Sequence, residues 1–245
     1  MTTLIEDYRI EALLRCPRRY ARSSGKALTD TDITWAHLAQ YAVGHIVNGY
    51  YSAPTEGRTV GKISELAGRY WTTRRCKFDS LDHYHVVRRT VLSRLAALLT
   101  RQPASMKPLV LYESLRAHIA ELDIDLSLII QVLYADESSD GSPSYVIQKF
   151  VVDENEQVIR AFEHLAVAFC RAAFGALPGK IETLCLLSGH KYTLEPDERH
   201  VAQALDYVRL LRDWLPERHA AAEAEAGCAA CGDSAVNGAR AMIMH

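Results

Sequence analysis

The sequence predicts an α/β (α+β) fold in which a helical N-terminal part leads into a small mixed sheet flanked by helices. Three observations carry this. Over the first hundred positions apolar residues recur every three or four, the spacing of one helix face. After Lys107 the pattern changes to alternating and then continuous apolar residues, as in "SLRAHIAELDIDLSLIIQVLYADE". The cluster "ESSDGSPS" then separates two β-rich runs, as a turn would. With 245 residues, 49% of them apolar and 24% charged, the chain reads as one structural domain with a sizeable core.

The elements follow in order. In "YRIEALLRC" the residues Ile10, Leu13 and Leu14 share a helical face, and "TDTDITWAHLAQYAVGHIVNGYY" places capping residues ahead of a long apolar-periodic run. "DSLDHYHVVRRTVLSRLAALLTRQ" is a strong helix with Val87, Val91, Leu95 and Leu98 on one side, and Pro103 and Pro108 close the helical region. The two β-rich runs form an antiparallel hairpin. "EQVIRAFEHLAVAFCRAAFG" is an amphipathic helix stopped by Gly175 and Pro178, "KIETLCLLSGHKYTLE" a strand pair, and the segment from Pro196 to Gly227 a C-terminal helix. Three regions result: a basic, mainly helical part over 1–107, a sheet and helix over 108–200, and a helix with a cysteine-bearing tail over 201–245.

The net charge of −2 conceals an asymmetry, because residues 1–107 hold 17 Lys and Arg against 9 Asp and Glu while the rest holds 11 against 21. Arg15, Arg18, Arg19 and Arg22, with Arg74, Arg75, Arg88 and Arg89, are candidate phosphate contacts if folding gathers them; the same charges would also suit solvent or an acidic protein partner. No apolar run is long enough for a membrane span and the N-terminus lacks a signal-peptide pattern, so the expected location is the cytoplasm, with no membrane partner. There the six cysteines are expected as thiols or metal ligands, with Cys170 and Cys185 in apolar surroundings that suit core packing. His83 and His85 in "LDHYHVV" have a metal-like spacing but sit near a helix start, where they read as polar surface.

Two cysteine motifs lie at opposite ends of the chain: Cys16-Pro17-Arg18-Arg19-Tyr20, and the C-x2-C of Cys228 and Cys231. Together with the element order they resemble the RecB-type nucleases of the PD-(D/E)xK superfamily, including the CRISPR adaptation nucleases and AddB-like iron–sulfur proteins. The resemblance implies a PD-(D/E)xK sheet and a clasp in which Cys16, Cys228 and Cys231 bind an iron–sulfur cluster or zinc. No cysteine follows Cys231, and His219 or His245 would complete a Cys3His zinc site.

The same resemblance implies a cation-binding aspartate on the first strand of the nuclease core and a D/E-x-K on the second. Asp123 or Asp125 suits the aspartate, with a spacing that would put both on one side of a strand. Lys149 suits the lysine, while Ile147 occupies the acidic position. In the early helix Gly44 matches the family glycine, and Asn48 stands where histidine is usual. Glu163 lies near the expected glutamine of the following helix. Glu113, Glu137 and Glu163 are further carboxylates for a magnesium or manganese ion.

The expected function is therefore a catalytically degenerate RecB-like protein, binding DNA or scaffolding other subunits in a prokaryotic DNA-processing or defence complex. A divergent metal-dependent DNA nuclease using Asp123, Asp125 and Lys149 is the first alternative. A protein–protein adaptor without nucleic-acid binding is the second.

Overall fold

The structure, a computed structural model, describes residues 3–17, 20, 33–102, 107–137 and 143–214. The described residues form strand β1 (Thr3–Glu6), then helices α1 (Asp7–Arg15), α2 (Trp35–Ser52), α3 (Val60–Tyr70) and α4 (Leu81–Arg101). Strands β2 (Pro108–Ile119), β3 (Ile124–Glu137) and β4 (Pro143–Val151) follow, then α5 (Glu156–Phe174), β5 (Lys180–Cys185), β6 (Lys191–Leu194) and α6 (Glu198–Trp214). This is the α/β architecture the periodicity predicts. No helix among the described residues is long and apolar enough to cross a membrane.

Local chemistry sets several of the boundaries. The side chains of Thr34, Thr59, Ser80 and Asn155 each accept a hydrogen bond from the backbone N–H three residues on, capping α2, α3, α4 and α5. Gly175 ends α5 at φ 67°, a left-handed conformation that glycine adopts without the Cβ penalty. The buried face of α4 comprises Tyr84, Val87, Val91, Leu95 and Leu99, so the sequence-predicted Leu98 yields its place to Leu99. At 3.6 residues per turn, a longer helix drifts away from a strict repeat.

Among the described residues the sheet has six strands. β2, β3 and β4 form an antiparallel meander, β5 lies parallel to β4, and β6 returns antiparallel to β5. β1, which the sequence analysis did not anticipate, runs parallel to the start of β3 along residues Ile124–Ser127. Both β1 and β4 therefore share the edge of β3 that β2 leaves open, with a fork between them.

Helices cover both faces. On one, α1, α5 and α6 pack through Ile10, Phe162, Leu165, Ala204 and Val208 against Ile124, Leu126, Ile130 and Ile147. On the other, α2, α3 and α4 enclose Val132, Tyr134, Val146 and Phe150 with Val43, Ile46, Leu66 and Leu95. Side-chain alternation slips in mid-sheet: Ile124 to Ile130 send their even-numbered residues into the first core, whereas Val132 and Tyr134 enter the second. The slip falls at Gln131, which faces Tyr112, a residue with φ 51° on β2. The register with β2 stays continuous here, and β4 pairs with β3 only from Val132 onward, so the fork opens at this switch of faces.

Candidate functional site

Asp7, Glu11 and Arg15 recur every four residues along α1 and therefore share one stripe of the helix. That stripe faces the fork. Lys149 reaches it from β4 with a side chain only 9% exposed, its Nζ 3.3 Å from Glu11 Oε2 and 4.3 Å from the centre of the Phe162 ring. Arg15 Nε donates to Glu11 Oε1 at 2.9 Å, and its other arm reaches Asp153 Oδ2 at 2.7 Å. Charges of alternating sign thus run from the interior to the surface.

Backbone groups left without a strand partner are satisfied by side chains. The N–H of Ile129 donates to Asp7 Oδ2 at 3.2 Å. Phe150 N–H donates to Gln131 Oε1 at 2.7 Å, while Gln40 donates to the Phe150 carbonyl and accepts from Val152 N–H, at 2.8 and 2.9 Å. Two glutamines therefore stand in for the missing ladder, as buried backbone groups require.

The electrostatics follow from this packing. Burial by itself would raise the Glu11 carboxyl, but Lys149 and Arg15 outweigh it and hold the pKa down to about 2. Asp7 lies deeper, and there burial wins over the attraction of Lys149, so its pKa is raised. Outside the network a cleft of about 310 Å³ opens between Arg15, Cys16, Trp35, His37, Gln40 and Asp153.

The structure separates the residues that the sequence analysis grouped. Asp123 lies in the turn between β2 and β3 at φ 51°, and the strand begins at Ile124, so Asp123 and Asp125 do not share a strand face as expected. Asp125 is held by His118, whose Nδ1 lies 3.0 Å away on the neighbouring strand. Lys149 lies beyond Gln148, which pairs with Val132, so it falls near Gln131, six positions along β3 from Asp125. At ~3.3 Å per residue this is about 20 Å. Asp125 also points away from the face shared by Ile147 and Lys149, because its neighbours Ile124 and Leu126 enter that core.

α2, with Gly44 and Asn48, packs on the opposite face from Lys149, and α1 covers the lysine instead. Glu163 on α5 is half-buried and its carboxyl is raised by burial, offset by Arg160 and His200, so it belongs to the α5–α6 side of the helix. Glu113 is exposed on β2, and Glu137 ends β3. His83 interacts with Asp79 at 3.0 Å and packs edge-on to Trp35, as a polar residue of a helix start.

Of the clasp residues, Cys16 is buried at the end of α1, 3% exposed, on the cleft wall. Cys228, Cys231, His219 and His245 lie outside the described residues, as do Arg18, Arg19 and Arg22. Cys170 and Cys185 are core residues whose thiols burial raises to about 12 and about 11. Arg15 is tied to two carboxylates. Arg74 and Arg75 are exposed in the turn after α3, and on α4 Arg89 is exposed and Arg88 half-buried.

Asp7, Glu11, Gln40 and Gln131 escaped the sequence analysis. The signal for the first two was present in "DYRIEALLR": acid, acid and base at every fourth position, beside an apolar stripe. Among the described residues no group of three or more His, Cys, Asp or Glu side chains is placed to hold a metal ion. Magnesium asks for near-octahedral oxygen ligands at about 2.0–2.1 Å, whereas here each carboxylate is committed to a cation or a backbone N–H. No protein-family model matches the chain, and no curated protein does.

Proposed function

We propose that this chain is a nuclease-like protein that binds rather than cleaves, serving as a DNA-binding or scaffolding subunit of a prokaryotic DNA-processing or defence complex. The single observation that carries this reading is the Lys149–Glu11–Arg15–Asp153 network in the strand fork. A lysine on the second strand of the hairpin is where the RecB-type resemblance puts hydrolytic chemistry. In this chain its ammonium is neutralised by a helix carboxylate, Ile147 fills the acidic position, and Gln131 sits where the strands part. The order β2, β3, β4, α5, β5, with β5 parallel to β4, supports the same reading. The nucleic-acid role draws on exposed Arg74, Arg75 and Arg89 in the helical layer; phosphate neutralisation would make affinity fall steeply with salt. The cysteine clasp belongs to the proposal as an iron–sulfur or zinc site. Total-metal analysis of anaerobically purified protein, with Cys16→Ser as control, tests it.

A second reading has its own support, since Glu11 and Asp7 on α1 are carboxylates supplied near Lys149 by another element, and Asp153 joins them through Arg15. In it the acid has migrated to α1 and the chain is a divergent magnesium- or manganese-dependent DNA nuclease. One experiment separates the two: labelled single- and double-stranded DNA, incubated with either cation, with wild type, Glu11→Gln and Lys149→Met. Salt-sensitive binding without cleavage is expected. Cleavage abolished in both variants would establish the nuclease, and neither binding nor cleavage would leave the adaptor.

A further inference from the structure

Three aromatic rings form a ladder on the helical layer, with Tyr41 exposed and His45 and Tyr70 half-buried. Tyr41 on α2 is 66% exposed, and its ring lies 4.3 Å from that of His45, one turn on, at a steep angle. His45 lies 4.7 Å from Tyr70, the last residue of α3, with the two planes only 13° apart. The guanidinium of Arg69 sits 5.3 Å from the centre of the Tyr70 ring.

Tyr70 is partly buried against the core of the helical layer, but the core does not need Tyr41. α2 packs into the protein through Ala39, Ala42, Val43 and Ile46, all at 0% exposure, and Tyr41 projects from its other side. A large ring in solvent gains little burial, yet here it is seated against a second ring that is itself stacked on a third. Held this way, the rings lose little freedom when a further planar group is added.

Resting on the DNA-binding reading, we propose that the Tyr41–His45–Tyr70 ladder is a stacking platform for the unpaired bases of single-stranded nucleic acid. Ring stacking accepts any base, and a neighbouring positive charge tracks the backbone, the combination that single-strand binders use. Arg69 supplies that charge beside the ladder, and Arg75 follows in the turn after α3. The charge selects a phosphate-bearing strand over a neutral apolar partner. A duplex keeps its base faces covered, so the platform discriminates between the two forms.

The test uses the full chain with Tyr41→Ala and Tyr41→Phe, a labelled oligothymidylate of about 15 nucleotides and a duplex of the same length at fixed salt. Tyr41→Ala is expected to weaken single-strand binding about tenfold while duplex affinity stays within about twofold, and Tyr41→Phe, which keeps the ring, to retain both. Unchanged denaturation midpoints verify that both variants fold. Equal single-strand affinity in Tyr41→Ala and wild type overturns the platform, as does a parallel loss on both DNAs or a wild type that binds duplex alone. In each of these cases the DNA-binding reading stands. A wild type that binds neither form overturns both and returns the ladder to a protein partner.

Discussion

Replacing Lys149 by methionine keeps an unbranched side chain one atom shorter but removes the charge facing Glu11. At 3.3 Å and an effective dielectric of about 20, the lost attraction is ~5 kcal/mol. Glu11 keeps Arg15 as a partner and its side chain is 27% exposed, and both relieve the uncompensated charge. The expected cost is therefore about 3 kcal/mol, the lower end for breaking a buried pair. Urea unfolding at pH 7 reads this as a fall in midpoint of roughly 1 M. The double variant Glu11→Gln/Lys149→Met should recover at least half of the loss, because a neutral pair carries no desolvated charge. A single variant within about 1 kcal/mol of wild type, or a double variant no better than the single, would refute the assignment of this network as the electrostatic centre of the fork.

Acid sensitivity provides an independent check. The folded pKa of Glu11, about 2, lies below its ordinary 4.5, so its stabilisation is complete above pH 4.5 and is lost as pH falls from there towards 2. The stability difference between wild type and Glu11→Gln in urea titrations should shrink across that window; a constant difference contradicts the shift. Asp125→Ala removes a half-buried partner of the exposed His118 and is expected to change stability by no more than about 0.5 kcal/mol and to leave DNA binding unaltered by fluorescence anisotropy. Gly175→Ala forces a Cβ into the left-handed end of α5 and should cost about 1 kcal/mol in thermal or urea unfolding.

Much of the secondary structure was legible because it is local. Thr34, Ser80 and Asn155 announce their helices, and the alternation in "DIDLSLIIQVL" marks a strand whichever strand it meets. Lys149 was legible in the same way, as a lysine on a β-run. Its partners were not. Glu11 lies 138 positions away, and nothing in either segment states that the short α1, rather than the longer α2, covers that face of the sheet. Strand β1 escaped notice since four residues carry too little periodicity; its parallel pairing exists only once β3 offers a free edge.

The sequence by itself determined the fold class, most element positions and the basic character of the helical half, because propensity, capping and hydrophobic period act over a few residues. Only the tertiary structure decided that Asp123 turns the corner into β3, that Asp125 faces away from Lys149, and that Glu11 and Gln131 occupy the fork. Those outcomes depend on register and on the switch of side-chain faces between Ile130 and Val132. A one-residue change in which face a side chain takes alters which groups meet, and that choice is set by how whole layers pack.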